Sequence, residues 1–381
     1  MSHALVTDDG RIEVEALLRA LVAIESPDPP GDELAVARLV HEVLGRVGLV
    51  ADLDEFAPRR ANVVARLPGS GQRPALGFSA HLDTVPIGTR PWSRPPFGGI
   101  VEGGRLYGRG AADMKSALAA MIAAAADLRA RNVPLAGDLV LLFTAGESSN
   151  LLGARRCLER GQMDGVDTLL VGEPSSLDVV VCEMAALWLR LSAEGRTGHV
   201  SGDPGVNAID LLRHGLQRLD RAALPTVDHP LVGGSRWSIG RIAGGSAVNV
   251  TPDACHADLD LRLPPGIDPN AATAAVAAAV GPEVRTERLD FKPALEMPAD
   301  APFVALCAAV CSRHRGTGVK RRGVSYFSDA AVLAAERPVA FAIVGPGEIG
   351  QSGQVDESVP LADVEAAAAI YAEIAATWLH P

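Results

Sequence analysis

The 381-residue sequence predicts an α/β protein: a mixed, mostly parallel sheet with helices on both faces, interrupted by a smaller α+β domain. Three observations carry this. Strand-like and helix-like stretches alternate through the first half, as in a parallel sheet whose crossovers are helices. From about Trp188 the order becomes strand, helix, strand, strand, helix, strand, a ferredoxin-like two-layer unit. After about Pro298 the first pattern resumes, so the second unit reads as an insertion. The length also exceeds one ordinary core. The expected domains are residues 1–185 with 298–381, and residues 186–297.

The elements follow in order. Helices are expected over Ile12–Ile24 and Glu33–Val47, where apolar residues recur at helical spacing. Short apolar runs predict strands over Asn62–Arg66, Ala75–Ala80, Asp138–Thr144 and Thr168–Val171. Between them, Met114–Arg131 and Ala154–Arg160 read as helices. In the insertion, strands are expected over Trp188–Glu194, Trp237–Ile242, Ala247–Thr251, Ala254–Arg262 and Val284–Phe291. Its helices are Val206–Leu219 and Pro269–Val280. The returning chain reads as helix Phe303–Arg313, helix Ala330–Glu336, strand Val339–Val344 and helix Leu361–Leu379.

Composition narrows the function classes. Hydrophobic content of 48% with 21% charged residues describes a folded chain. A net charge of −11 argues against a nucleic-acid partner, because no basic stripe would release counterions from phosphates. No run is long and apolar enough for a bilayer. The start, Met1-Ser2-His3-Ala4-Leu5, lacks a basic stretch followed by an apolar core, so a cytoplasmic protein is expected. The five cysteines form no Cys-x-x-Cys pair, which suits a reducing compartment. Cys307 and Cys311, four apart on a predicted helix, read as buried thiols.

In open parallel sheets, sites form at the carboxyl ends of strands. His81, Glu147 and Glu173 each stand just past one. His81 is a metal ligand by type, and Asp83, two residues on, can accept the ring's other N–H. Asp113 follows Gly108 and Gly110, which free the backbone to turn a carboxylate inward, and it also suits a helix N-cap. His81, Asp113 and Glu173 supply one neutral and two anionic ligands, enough to neutralise a divalent cation and leave a position for water.

Three blocks carry a family resemblance: His81-Leu82-Asp83-Thr84-Val85-Pro86, Tyr107-Gly108-Arg109-Gly110-Ala111-Ala112-Asp113-Met114-Lys115, and Val171-Gly172-Glu173-Pro174. They resemble the zinc-dependent acetylornithine deacetylase, succinyl-diaminopimelate desuccinylase and aminoacylase family. The likeness runs from about Glu15 to Leu379 and implies a zinc-exopeptidase-like fold whose inserted domain acts as a lid and makes a homodimer. It implies that Asp113 bridges metals, often beside a cis peptide, and that Glu147 is the general base. It also implies that His199 donates to the oxyanion from the partner subunit, and that Asn249 and Arg262 contact a substrate carboxylate.

The chain departs from that pattern at two positions. The family's Glu-Glu pair is Glu147-Ser148 here, and a histidine after Gly-Pro-Gly is replaced by Gly353. No histidine occurs between Arg315 and Leu379, and Glu147 is the only acidic residue from Leu139 to Leu158, so no shifted register restores either ligand. The expectation is one divalent metal per chain, zinc first, with manganese, cobalt or magnesium, or an empty site, as alternatives, because a single nitrogen ligand holds zinc less firmly. The expected activity is hydrolysis of an N-acylated amino acid or conjugate with a free carboxylate. Acyl transfer or condensation in a biosynthetic pathway, and a non-catalytic binding role, stay open.

Overall fold

The computed structural model describes residues 5–335 and 337–381. Its contacts divide the chain into two compact units: Met1–Val181 with Met297–Arg322 and Ser328–Pro381, and Cys182–Glu296 with Gly323–Phe327.

In the first unit the sheet is mixed. The strands Ala75–His81, Leu139–Thr144, Val166–Val171 and Ala340–Ile343 run parallel, in the order Leu139–Thr144, Ala75–His81, Val166–Val171, Ala340–Ile343. All residues of Ala75–His81 and Leu139–Thr144 are buried, as strands covered on both faces should be. Arg60–Leu67 extends the sheet antiparallel on one side, followed by Val50–Ala57. Val50–Ala57 is absent from the sequence reading; Asp52, Asp54 and Glu55 interrupt its apolar residues, and Asp54 is the one buried residue of the strand. The helices Val14–Val22, Leu34–Arg46, Ser116–Ala130, Pro302–Arg315 and Leu361–Trp378 belong to the same unit. Ser116–Ala130 is buried along nearly its whole length, and Ala side chains let it lie close to its neighbours.

The second unit is a four-stranded antiparallel sheet in the order Arg236–Gly244, Ala254–Leu263, Ala185–Glu194, Val284–Lys292. The helices Ala208–Leu219 and Pro269–Val280 pack on the face that carries Leu187, Leu189, Leu191, Ala257, Leu259 and Leu261. Asn207 and Asp268 cap the two helices with side-chain oxygens on backbone N–H groups. The βαββαβ order with the first strand inside the sheet is the ferredoxin-like arrangement.

Three expected elements differ. Ala247–Thr251 is a turn rather than a strand, because Gly245 (φ +81°) reverses the chain before Pro252. The helix expected from Met114 begins at Ser116; a π-turn over Ala111–Lys115 precedes it, with non-helical backbone at Asp113 and Met114. The helix expected over 330–336 spans Ala330–Leu333, and Glu336 lies outside the described residues. Among the described residues no helix is long and apolar enough to cross a membrane.

Candidate metal centre

Three adjacent parallel strands end at one place. His81 is the last residue of the central strand, Glu173 follows Val171 on one side, and Glu147 follows Thr144 on the other. Asp113 arrives from the π-turn, where its peptide to Met114 is cis. Donor atoms of His81, Asp113 and Glu173 all lie within 4.8 Å of one another. His81 Nε2 is 3.0 Å from Asp113 Oδ1 and 3.7 Å from Glu173 Oε1. Only 5% of His81 and of Glu173 is exposed.

The imidazole is oriented by backbone. His81 Nδ1–H donates to the Asp83 carbonyl oxygen at 2.9 Å, which leaves the Nε2 lone pair facing the two carboxylates. This corrects the role expected of the Asp83 side chain, whose Oδ1 stays 3.8 Å from Nδ1. Its carboxylate instead accepts from Glu147 N at 3.1 Å and Ser148 N at 3.2 Å. The turn after Thr144 offers two adjacent N–H groups, and a buried carboxylate satisfies both. Asp83 therefore fixes the backbone that carries Glu147.

Further residues unmarked by the sequence reading hold the same parts. Glu357 Oε1 accepts from Ala112 N at 2.9 Å and Asp113 N at 3.1 Å, and Oε2 pairs with Arg109 Nη1 at 2.6 Å. Both partners are 1% exposed. Asn62 accepts from Ala145 N and donates to Gly153 O, which ties both ends of the Glu147 loop to a neighbouring strand. Ser149 donates to Asp28, which pairs with Arg60; Arg60 also holds Glu33. Asp329 accepts from the Thr144 hydroxyl. The polar residues beside Gly-Arg-Gly and after Gln354-Val355-Asp356 were the available signal for Arg109 and Glu357.

At the two departures from the family pattern no ligand side chain stands. Ser148 is half-buried with its N–H on Asp83. Gly353 is exposed at φ +74°, and a Cβ there would meet only Val85, at 3.7 Å.

The second unit gathers a separate group. His199 is exposed, and Ser201 N donates to its Nδ1 at 3.2 Å. The ring's Nε2 lies 3.3 Å from the Asn249 side-chain amide. Arg262 does not offer the free fork expected of it: Nε and Nη2 are taken by Asp260 Oδ2 at 3.1 and 2.8 Å. Its guanidinium lies over the Phe327 ring, 5.0 Å from the centroid.

A profile of peptidase family M20/M25/M40 matches residues 77–377. The chain belongs to this family. As an M20-family protein it is a hydrolase of amide bonds. It is 31% identical over 373 residues to the acetylornithine deacetylase of Proteus mirabilis, with 93% of each chain covered. Its fold matches the M20 family metallo-carboxypeptidase of Sulfolobus solfataricus with a TM-score of 0.80, at 16% identity, over 96% of this chain and 98% of that one. It also matches a dinuclear metal-binding M20 peptidase of Bacillus subtilis, with a TM-score of 0.70 at 17% identity, over 96% and 97% of the two chains.

The electrostatics of the centre favour a cation. Burial first, then Asp113 and Glu147, push the Glu173 carboxyl well above its ordinary range. Burial, with Asp83, Asp329 and Asp113, does the same to Glu147. Burial opposes charging His81, but Asp83, Glu173 and Asp113 outweigh it and raise the imidazole well above 6.5. Burial also lifts Glu33 to about 7, and Glu357 and Asp329 each to about 6. With no metal bound, each of these groups holds its proton more tightly folded than unfolded. Stability should then fall as pH rises from about 4.5 towards 7; above that, Lys115, lowered by burial to about 7, acts in the opposite sense. Urea midpoints at pH 5 and pH 7 in chelator test this. The midpoint should be higher at pH 5, and saturating zinc should flatten the difference.

Proposed function

We propose that this hydrolase cleaves the amide bond of an N-acylated amino acid, or a similar conjugate with a free carboxylate, at a centre that takes one divalent cation. The observation that carries the reading is the cluster of buried His81 and Glu173 with half-buried Asp113 beside Glu147, with Ser148 and Gly353 at the positions that would serve a second ion. The residues fit a cation: two carboxylates in a desolvated pocket are costly to ionise without a positive charge, and His81 presents Nε2 toward both of them.

His81, Asp113 and Glu173 would hold the ion. When bound, it acts as a Lewis acid on a carbonyl oxygen and lowers the pKa of water. Glu147 takes the proton of the attacking water and delivers it to the leaving amine. Its burial keeps it a competent acid in the second role, and the Asp83 carboxylate holds its backbone still. His199 supplies an N–H to the oxyanion through Nε2. Asn249 and Arg262 contact the substrate carboxylate, which exchanges with the Arg262 Nη1 bond to the Ser325 carbonyl oxygen at 3.4 Å. Similarity to an acetylornithine deacetylase favours an N-acyl amino acid over a longer peptide.

A screen of N-acyl amino acids, scored by amine release, tests the reaction. Turnover lost in chelator and restored by zinc, manganese or cobalt supports it; acyl transfer without free acid would replace hydrolysis by the alternative chemistry. Anomalous scattering from metal-soaked crystals should show a single ion among His81, Asp113 and Glu173. A pair about 3.5–4 Å apart, as in two-metal hydrolases, would overturn the one-ion reading.

Dimerisation through the second unit is part of the same proposal. Arg236–Gly244 is an edge strand, exposed along nearly all its length, with Ile239 42% and Ile242 60% exposed. An exposed apolar edge pairs readily with another strand. Light scattering should report a dimer that Ile242→Lys converts to monomer. A monomer retaining full activity would remove the role given to a partner's His199.

A further inference from the structure

Within the second unit one set of side chains is unused by the amide chemistry. Cys182 and Glu296 are register partners in the antiparallel pairing of Val179–Glu183 with Leu295–Glu296, so their side chains leave the ladder on one face. A turn starting at His229 belongs to the same cluster. Gly233 N donates to His229 O at 2.8 Å, and Leu231 and Val232 pack with Cys182 and Met184. Donor atoms of Cys182, His229 and Glu296 lie within 4.8 Å of one another. His229 Nε2 and Glu296 Oε1 are 3.3 Å apart.

We propose that Cys182, His229 and Glu296 form a second metal site, built for zinc or a similar divalent cation, with water in the open position. The donor types decide the ion: thiolate, imidazole and carboxylate together select zinc over magnesium or calcium. The spacing agrees. Around tetrahedral zinc, with bonds of about 2.0–2.3 Å, neighbouring donors stand about 3.3–3.6 Å apart, so His229 and Glu296 already span one edge. The remaining atoms need to close by about an ångström, within reach of the half-exposed Glu296 side chain.

Charge and protons balance. Cys182 is fully buried, and burial with the nearby Glu296 and Glu183 carboxylates lifts its thiol to about 12. Loading breaks the S–H bond, forms the sulfur–metal bond and releases that proton to solvent. One thiolate and one carboxylate then neutralise a doubly charged ion. Leu231 N points at His229 Nδ1 from 3.3 Å, so the ring proton sits on Nε2 in the metal-free form. Binding moves it to Nδ1 and gives up that long contact, which sets the affinity below that of a site with four protein ligands. The bound ion would pin the His229 turn to the strands beneath it.

Cobalt(II) titration of the metal-free full chain tests this, because the His81 centre contains no sulfur. A thiolate-to-cobalt charge-transfer band should grow as cobalt fills the two centres, persist in His81→Ala and saturate there at one equivalent, strengthen as pH rises and vanish in Cys182→Ser. His229→Gln and Glu296→Gln, at less buried positions, guard against a folding failure of Cys182→Ser. Each should weaken cobalt binding at this band at least about tenfold, the least that loss of a ligand's hydrogen-bond partner costs. No band in the wild-type chain, a band surviving Cys182→Ser, or unchanged affinity in both Gln variants overturns the proposal. Failure here leaves the His81 centre untouched, since that centre is read from amine release and from the position of its own ion.

Discussion

Glu147→Gln is expected to lower turnover by about 10²–10⁴-fold, the usual contribution of general acid–base catalysis, with KM and fold nearly unchanged. The side chain keeps its size, and the contacts that place it are made by its backbone: Glu147 N on Asp83 Oδ1, and the Asn62 bonds at both ends of the loop. Only the proton-carrying oxygen is lost. Comparing kcat and KM in one assay with circular dichroism separates this from misfolding. If the Glu147→Gln variant turns over like the parent, the base lies elsewhere and the amide-hydrolase mechanism given above fails.

Arg109→Met should destabilise the first unit by about 3–5 kcal/mol, because removing one member of a buried ion pair strands the other charge. Glu357 would keep its carboxylate in a pocket where the pair is 1% exposed. Arg109 also reaches the carbonyls of Gln354, Pro86 and Gly353 at 3.2–3.3 Å, so three acceptors lose a donor together. Urea unfolding at pH 7 reads the loss directly. Glu357→Gln should cost less, since an amide oxygen can still accept from Ala112 N and Asp113 N, but a neutral acceptor holds these N–H groups more weakly than a carboxylate, so metal binding through Asp113 should weaken modestly. Equal stability of Arg109→Met and the parent would show that the pair contributes nothing net.

Much of the architecture was legible because burial and period coincide. Ala75–His81 and Leu139–Thr144 are continuous apolar runs, and the polar residue that closes each run marks where the strand ends. His81 and Glu147 could be placed at the carboxyl edge for that reason. The partners that aim them were not legible, since hydrogen bonding across the fold leaves no periodic trace. Glu357 stands 244 residues from the Asp113 backbone it holds. Asp83 could be read only as a carboxylate near a histidine; the competing N–H groups of Glu147 and Ser148 appear once the loop is folded. The same holds for Arg262, whose Asp260 partner is two residues away on one strand face, a spacing that helps local pairing as much as ligand capture. Val179–Glu183 is fully buried and absent from the sequence reading, its short apolar part ending at the acidic Glu183.

Gly353 sets the cost of placing any side chain at its position. At φ +74° the backbone occupies ground where an L side chain costs roughly 1–2 kcal/mol. A histidine at 353 would therefore start from a strained backbone even though the space around it is open, and Ser148 offers no carboxylate to go with it. On the proposed one-ion reading, Gly353→His alone is expected to leave the metal stoichiometry unchanged, and uptake of a second ion should require Ser148→Glu as well.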